Sequence, residues 1–470
     1  MKRRLWLLLA GLGILIAGGC TLAPEYSQPP APVPAEWPQG DAYLPPAAEE
    51  EATMVPELSW QEFFADPRLR AVIGMALENN RDLRLAALNV EQARALYGVQ
   101  RAELLPAVNV SAGGGKQRRS ADLIGSGEQR TREQYSIDLG VAAWEIDFFG
   151  HLRSLKDQAL QEYLATEEAR RSVRIALIAE VAGAYLALAA DRENMQLSAS
   201  TLEAQQESYD LVHKLFSAGV ATELDLRQAQ IPVETARRNL ALYTQQVAQD
   251  ENALQLLAGR PVPQELLPEN LAAIVPIQDI FPGMSSDVLL QRPDIVAAEH
   301  QLKGAHAFIG AARAAFFPRI ALTAAIGTAS DDLSGLFGSG TGTWSFTPQI
   351  VMPIFDARTW AAYRVSETER EIALARYERS IQTAFREVAD ALAQQGTIDE
   401  QLSAQQALTE AAAESYRLSR TRYEKGVDSY LAVLDSQRSL YTAQQGLIIT
   451  RFSRLANLVT LYRVLGGGIL

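Results

Sequence analysis

Residues 82–108, DLRLAALNVEQARALYGVQRAELLPAV, return at 294–320 as DIVAAEHQLKGAHAFIGAARAAFFPRI. At a constant offset of 212, Asp82 falls on Asp294, Ala93 on Ala305, Gly98 on Gly310, Arg101 on Arg313 and Pro106 on Pro318. Farther on, SYDLVHKLFSAGV (208–220) returns as SYRLSRTRYEKGV (415–427) at an offset of 207, which also carries Glu180, Val181 and Ala182 onto Glu387, Val388 and Ala389. The chain is a duplication of a unit about 210 residues long. That is too long for the common solenoid repeats, and two copies are too few for a stacked array.

Each unit runs in the same order. A helix of about 30 residues (near 70–105 and 285–317) ends at a proline, which lacks the N–H and clashes with the preceding turn. After a Gly-rich, low-charge region comes a much longer helical stretch. Near 150–216 its apolar stripe includes Ala169, Val173, Leu177, Val181 and Leu188; near 358–424 Tyr377, Ile381, Phe385, Val388 and Leu392 keep the same spacing. A turn at AGV or KGV leads into further helices near 222–257 and 429–464. An uninterrupted helix of 60 residues would be roughly 90 Å long, which no compact globule needs. No strict heptad is present, so the pattern points to an array of several helices rather than a two-stranded coiled coil. Pro232 predicts a bend or a loosened turn in its rod.

Between the helices lie VNVSAGGG and QYSIDLGVAAWEID (134–147) in the first unit, and IALTAAIGTAS and TWSFTPQIVMPIF (343–355) in the second. Ile137, Leu139 and Val141 alternate with Ser136, Asp138 and Gly140, and Trp344 and Phe346 alternate with Thr343 and Ser345. These predict two long hairpins with about 10 residues per strand, the length a tilted strand needs to cross an outer membrane. Trp144, Phe148, Phe149, Trp344 and Phe355 fall near strand ends, where interfacial aromatics belong. Four strands cannot close a barrel, and open edges are not tolerated in lipid. Three copies of four strands give 12 and a continuous wall, with 12 helical rods below it, so a cyclic homotrimer is the economical closure.

At the N-terminus Lys2, Arg3 and Arg4 precede an apolar run from Leu5 to Ala17, then Gly18, Gly19 and Cys20. The run is shorter than the roughly 20 residues of a spanning helix. Its layout is that of a bacterial lipoprotein signal, in which cleavage leaves Cys20 carrying covalent lipid, diacylglycerol and palmitate, at its sulfur and amine. Thr21 is not the aspartate that retains such proteins in the inner membrane, which favours the outer one. Cys20 is the only cysteine, so no internal disulfide is available and stability must come from apolar burial or assembly. Removal of residues 1–19 takes away three cations, leaving 40 basic against 56 acidic residues and a formal net charge of −16, which argues against nucleic acid as a partner. From Ala23 to Pro56 the chain is rich in proline, alanine and acidic residues and reads as an extended arm without a core of its own.

Nothing in the sequence reads as a catalytic residue, a cofactor site or a metal site. There is no nucleophile elbow, Walker loop or CxxC pair, and His151, His213, His300 and His306 have no ligand-like set around them. His300 and His306 are six apart on a predicted helix and point to nearly opposite faces. GGGK and GSGTG lack the context of phosphate loops and read as hairpin ends.

The stretches LENNRDLRLAALNVEQARALY (77–97), AAWEIDFFG (142–150), LLQRPDIVAAEHQL (289–302), GAARAAFFPRIALTAAIG (310–327) and YEKGVDSYLAVLDSQRSLYTAQQ (423–445) carry a resemblance over essentially the whole mature chain. With the duplication, the sequence resembles the TolC-like family of outer-membrane efflux channels, nearest its lipid-anchored, OprM-type branch. That resemblance implies a mixed fold, all-α plus transmembrane β-barrel: a trimeric 12-strand barrel continued by a long periplasmic α-helical barrel. It implies a passive exit duct in a tripartite multidrug efflux pump of a Gram-negative bacterium, served by a periplasmic membrane-fusion adaptor protein and a proton-driven inner-membrane transporter of the resistance-nodulation-division type. Drugs and other toxic small molecules would be the cargo. It also implies an iris-like periplasmic gate, with Leu431 and Asp435 as the apolar and acidic constricting layers and Tyr423 in a polar network. Asp428 stands where one relative in that family has a network arginine, which leaves the carried-over network incomplete, and Ala432 stands where that relative has a further pore carboxylate. Leu431 and Asp435 are four apart and share a helix face, so three copies of each would converge on a threefold axis, and crowded carboxylates there would favour a bound cation or a shared proton. Two alternatives compete: an outer-membrane duct for protein secretion, and a non-conducting structural envelope lipoprotein.

The expected organisation is a signal peptide (1–19), a lipidated extended arm (20–60), helices of repeat 1 (61–106), a first transmembrane β-hairpin (107–148) and long periplasmic helices (149–260). A linker (261–284), the helix of repeat 2 (285–318), a second transmembrane β-hairpin (319–356), long periplasmic helices (357–466) and a tail (467–470) complete it.

Overall fold

A computed structural model of the chain describes residues 21–43, 59–123, 125, 129–274 and 285–467. The signal segment and Cys20 lie outside the described residues. Two compact units share the chain: the first takes in the described residues up to Pro30, Asn89–Glu167 and Ala297–Tyr377, the second those of Ala31–Leu88, Glu168–Val296 and Glu378 onward.

In chain order the helices and strands are α1 (Trp60–Phe63), α2 (Pro67–Asn79), α3 (Arg81–Ala102), β1 (Val108–Arg118), β2 (Thr131–Glu145), α4 (His151–Ser217) and α5 (Glu223–Ala258). The second repeat supplies α6 (Pro293–Ala314), β3 (Arg319–Ser330), β4 (Gly342–Val351), α7 (Ala357–Glu424) and α8 (Tyr430–Val464). α4 has 67 residues and α7 has 68, so each would measure roughly 100 Å if straight.

The sheet belongs to the first unit. It is antiparallel in the order β1-β2-β3-β4, so the two hairpins join through β2 and β3. Val108 pairs with Val141 and Arg118 with Thr131; Tyr135 pairs with Ser330; Arg319 pairs with Val351 and Thr328 with Gly342. Between Val141 and Trp144 the register slips. Ala143 takes φ 52 there and donates its N–H to Thr323 Oγ1 at 3.1 Å, a bulge that bends the longest strand. The outer strands β1 and β4 are exposed along their whole length, and β4 displays Trp344, Phe346 and Ile350. Unpaired edges bearing apolar side chains are a hazard in water and need a partner.

The expected 30-residue helices are each divided. In repeat 1 the break is Asn80, φ −62 and ψ 135; in repeat 2 it is Arg292, φ −64 and ψ 134, preceded by a 3₁₀ segment Ser286–Gln291. These positions are related by the 212-residue offset. Pro293 forces Arg292 out of the helical region. Asn80 reaches the same conformation without a proline: its Oδ1 accepts from Leu83 N–H at 2.9 Å and its Nδ2 donates to the Leu257 carbonyl at 3.0 Å. Arg292 is buried, and its guanidinium reaches Asp294 (2.7 Å), Glu387 (3.2 Å) and the Val464 carbonyl (2.7 Å), tying α6, α7 and the end of α8 together.

Phe63, Phe64 and Tyr462 form an aromatic cluster in the second unit, with centroids 4.6 Å apart for the stacked Phe63–Tyr462 pair. Val181, Ala182, Tyr185, Leu186, Leu188 and Ala189 of α4 are fully buried, so its apolar stretch, long enough by composition to cross a membrane, is packed core. α5 continues as helix on both sides of Pro232, whose ring nitrogen has no proton to give the preceding turn. Val262, Leu267, Leu271 and Ile274 are buried, so the described part of the 261–284 segment is packed down rather than a free linker.

The N-terminal arm has no core, as expected, but it is held at many points. In the first unit Tyr26 donates its hydroxyl to Glu299 at 2.9 Å, and Arg313 donates to the Leu22 carbonyl at 3.2 Å. A Cβ at Gly310 would lie 2.8 Å from Ala23 N, so glycine permits the close approach. In the second unit Trp37 stacks on Phe385 at 5.3 Å and Ser286 N–H donates to the Ala35 carbonyl. There Gly396 of α7 lies so close to the Ala42 carbonyl that a side chain would collide with it.

Candidate functional site

The two long helical hairpins turn in the same way. Gly219 (φ 75) and Gly426 (φ 71) sit in the left-handed region. Their N–H groups donate to the Phe216 and Tyr423 carbonyls, both at 2.9 Å, and those of Val220 and Val427 donate to Leu215 and Arg422, also at 2.9 Å. This pattern satisfies the last carbonyls of α4 and α7. The following helices start differently. At α5, Thr222 and Asp225 form a complete capping box; at α8, Ser429 makes no side-chain cap bond. Ala432, 207 residues after Asp225, has no carboxylate to close the box.

From that uncapped start, α8 separates its faces. Leu431, Asp435, Arg438 and Thr442 form an exposed stripe at helical spacing, while Val433, Leu434, Ser436 and Gln437 are buried. Leu431 and Asp435 therefore share one outward face. Asp435 is not a free carboxylate, however: Arg438, one turn later, donates to its Oδ1 at 3.1 Å. Sequence reasoning missed this arginine, although it was visible as the third residue after Asp435.

Tyr423 and Tyr430 face each other across the turn with centroids 5.2 Å apart, and burial pushes the Tyr430 hydroxyl upward in pKa. Asp428 is held by a bidentate contact from Arg422, through Nε and through Nη2 at 3.1 Å, which keeps its carboxyl below the usual range. A second polar network lies farther along α8. The Tyr441 hydroxyl meets Ser198 Oγ at 3.0 Å and accepts from Asn239 and Gln445, each at 3.2 Å, and Gln445 also donates to Tyr243 at 3.0 Å. These contacts join α8 to α4 and α5, and no periodicity signals them.

Among the described residues no group of three or more His, Cys, Asp or Glu side chains is placed to hold a metal ion. His300 instead contacts Gln161 at 2.7 Å and His306 packs edge-on to Tyr26.

The model of the family described as outer membrane efflux protein matches residues 72–260 and 284–467, one block for each repeat. The chain belongs to that family. Membership places it among the outer-membrane efflux proteins of Gram-negative bacteria. The solvent efflux pump outer membrane protein SrpC of Pseudomonas putida is 48% identical over 97% of this chain and 97% of its own length. A crystal structure of a membrane protein from Pseudomonas aeruginosa superposes with a TM-score of 0.88 at 42% identity, covering 96% of this chain and 98% of that one. The open state of the MtrE outer membrane channel of Neisseria gonorrhoeae gives 0.85 at 38% identity, over 96% and 99%. The fold is therefore that of the TolC-like channels, with a small antiparallel sheet and long helices in one duplicated chain.

Proposed function

We propose that three copies of this chain form the outer-membrane exit duct of a tripartite efflux pump. The observation that carries this reading is the sheet with both edges open. β1 and β4 expose their whole length, four strands cannot close, and three such sheets joined edge to edge give a wall of 12 strands without an unpaired backbone. The duct does no chemistry; a proton-driven inner-membrane transporter supplies the energy and a periplasmic adaptor joins the two. Membership in the efflux family and the likeness to a solvent-pump protein support small apolar and drug-like molecules as cargo. Lipid on Cys20 adds a second attachment to the membrane, since one acyl chain alone gives only marginal binding. The exposed α8 stripe of Leu431, Asp435 and Arg438 lines the periplasmic constriction, with the Tyr423–Tyr430 and Arg422–Asp428 contacts holding the closed turn.

Detergent-extracted protein is expected at three times the mass of the mature chain, and in planar bilayers it is expected to give discrete conductance steps. A monomer or dimer that still conducts would overturn the 12-strand wall. A trimer that never conducts, alone or with its adaptor, would leave a structural spacer instead.

A further inference from the structure

Asp191 on α4 and Asp250 on α5 each stand one residue before Arg192 and Glu251, whose side chains meet at 2.6 Å. The two carboxylates lie within hydrogen-bonding reach of each other, with Asn194, one turn along α4, beside Asp191. Two carboxylates this close repel one another unless a proton or a cation stands between them. The amide beside them is an independent sign. Asn194 is only 6% exposed, and its Oδ1 has no hydrogen-bond partner. Asp250 Oδ2 and Gln246 Oε1 are likewise buried and unpartnered, and Gln246 sits one turn before Asp250 on the same face of α5. A buried oxygen without a donor is costly, and two carboxylates have no donor to offer, so the Asn194 and Gln246 oxygens need an explanation.

The charge around them has a definite sign. Arg192 is engaged by Glu251 at 2.6 Å and the Pro268 carbonyl at 2.7 Å, and Arg451 approaches Glu193 at 3.6 Å. Among the described residues neither Asp191 nor Asp250 has an ion pair with a basic side chain. The Arg192–Glu251 and Arg451–Glu193 pairs each cancel, which leaves Asp191 and Asp250 as a surplus of two negative charges. Tyr243 of α5, which feels the Asp191 charge, accepts from Gln445 and adds no cation. Burial first, and then the neighbouring Asp191 charge, push the Asp250 carboxyl up to about 6.

We propose that Asp191, Asn194, Gln246 and Asp250 bind a hard divalent cation, calcium in preference to magnesium, that clamps α4 to α5. All four donors are oxygens, the class that calcium takes, and the surplus charge equals that of the ion. Calcium tolerates an irregular set of carboxylate and amide oxygens completed by water, whereas magnesium demands a near-ideal octahedron. The site lies outside the α8 stripe and does not depend on the duct reading.

The test uses the full-length, detergent-extracted protein at constant ionic strength and neutral pH, first stripped with EDTA. Adding calcium chloride is expected to raise the Tm, by an amount that grows with each tenfold increase in concentration, while magnesium chloride does less. Terbium is expected to show tyrosine-sensitised emission, with Tyr243 as the near antenna, that calcium displaces. Asp250→Asn keeps the shape and removes the repulsion. It should therefore fold and unfold at a higher temperature than wild type in EDTA, yet lose the calcium shift and the displaceable emission; Asp191→Asn should behave alike. Two outcomes overturn the site: no calcium shift in the wild type, which leaves a proton-sharing pair only, or the same shift in both Asn variants.

Discussion

Asp435 and Arg438 share the exposed stripe of α8, and together they make it nearly neutral rather than acidic. Asp435→Asn leaves Arg438 unpaired, so the duct is expected to lose cation preference and move toward anions; Arg438→Gln leaves the carboxylate unpaired and should strengthen cation preference. Reversal potentials across a salt gradient read both, and identical values for wild type and the two variants would show that the stripe does not line the lumen. Thermal stability should change by less than about 1 kcal/mol, since the pair is solvent-exposed. The face shared by Leu431 and Asp435 was legible because helical spacing alone defines it. Arg438 lay at the same spacing, but which partner a long side chain chooses depends on rotamers that a sequence does not display. Arg422 was less legible still: it reaches Asp428 only because Gly426 reverses the chain in the left-handed region, and no periodicity rule crosses such a turn.

At the scale of elements, duplication produced two hairpins with the same glycine turn but unequal starts to the helix that follows. α5 opens on a capping box, whereas α8 opens on Ser429 with its first-turn amides lacking a side-chain acceptor. The second hairpin is therefore the one whose first turn loosens at lower cost. Ala432→Asp supplies the carboxylate that a capping box with Ser429 lacks, and should stabilise that turn by about 1 kcal/mol. Slower hydrogen exchange of the amides at 430–434 and a lower open probability in bilayers are the expected readouts; unchanged exchange would show that the cap does not form. The bounds of the four long helices and the strand positions were legible to within a few residues because hydrophobic periodicity marks them, whereas the shorter helices before each proline are divided. The break at Arg292 could have been read from Pro293, but that at Asn80 could not, because there the side chain itself caps the next helix and anchors the chain to Leu257.

For the whole molecule, the proposed lipid on Cys20 and the membrane strands would be separate anchors. Cys20→Ser should abolish incorporation of labelled palmitate while leaving trimer in the outer membrane, and loss of all membrane-inserted trimer would show that the lipid is required for the barrel. The expected trimer rests on strands too few to close and on the family resemblance, because a single sequence records no partner. A ring closed by three seams between β4 of one copy and β1 of the next uses two different edges, so every subunit takes part in two seams but can spoil the ring by failing at either one. A defective allele with a damaged edge should then be dominant when expressed beside the normal gene, because mixed rings contain a seam that lipid will not tolerate, and the cell loses more ducts than it loses normal chains.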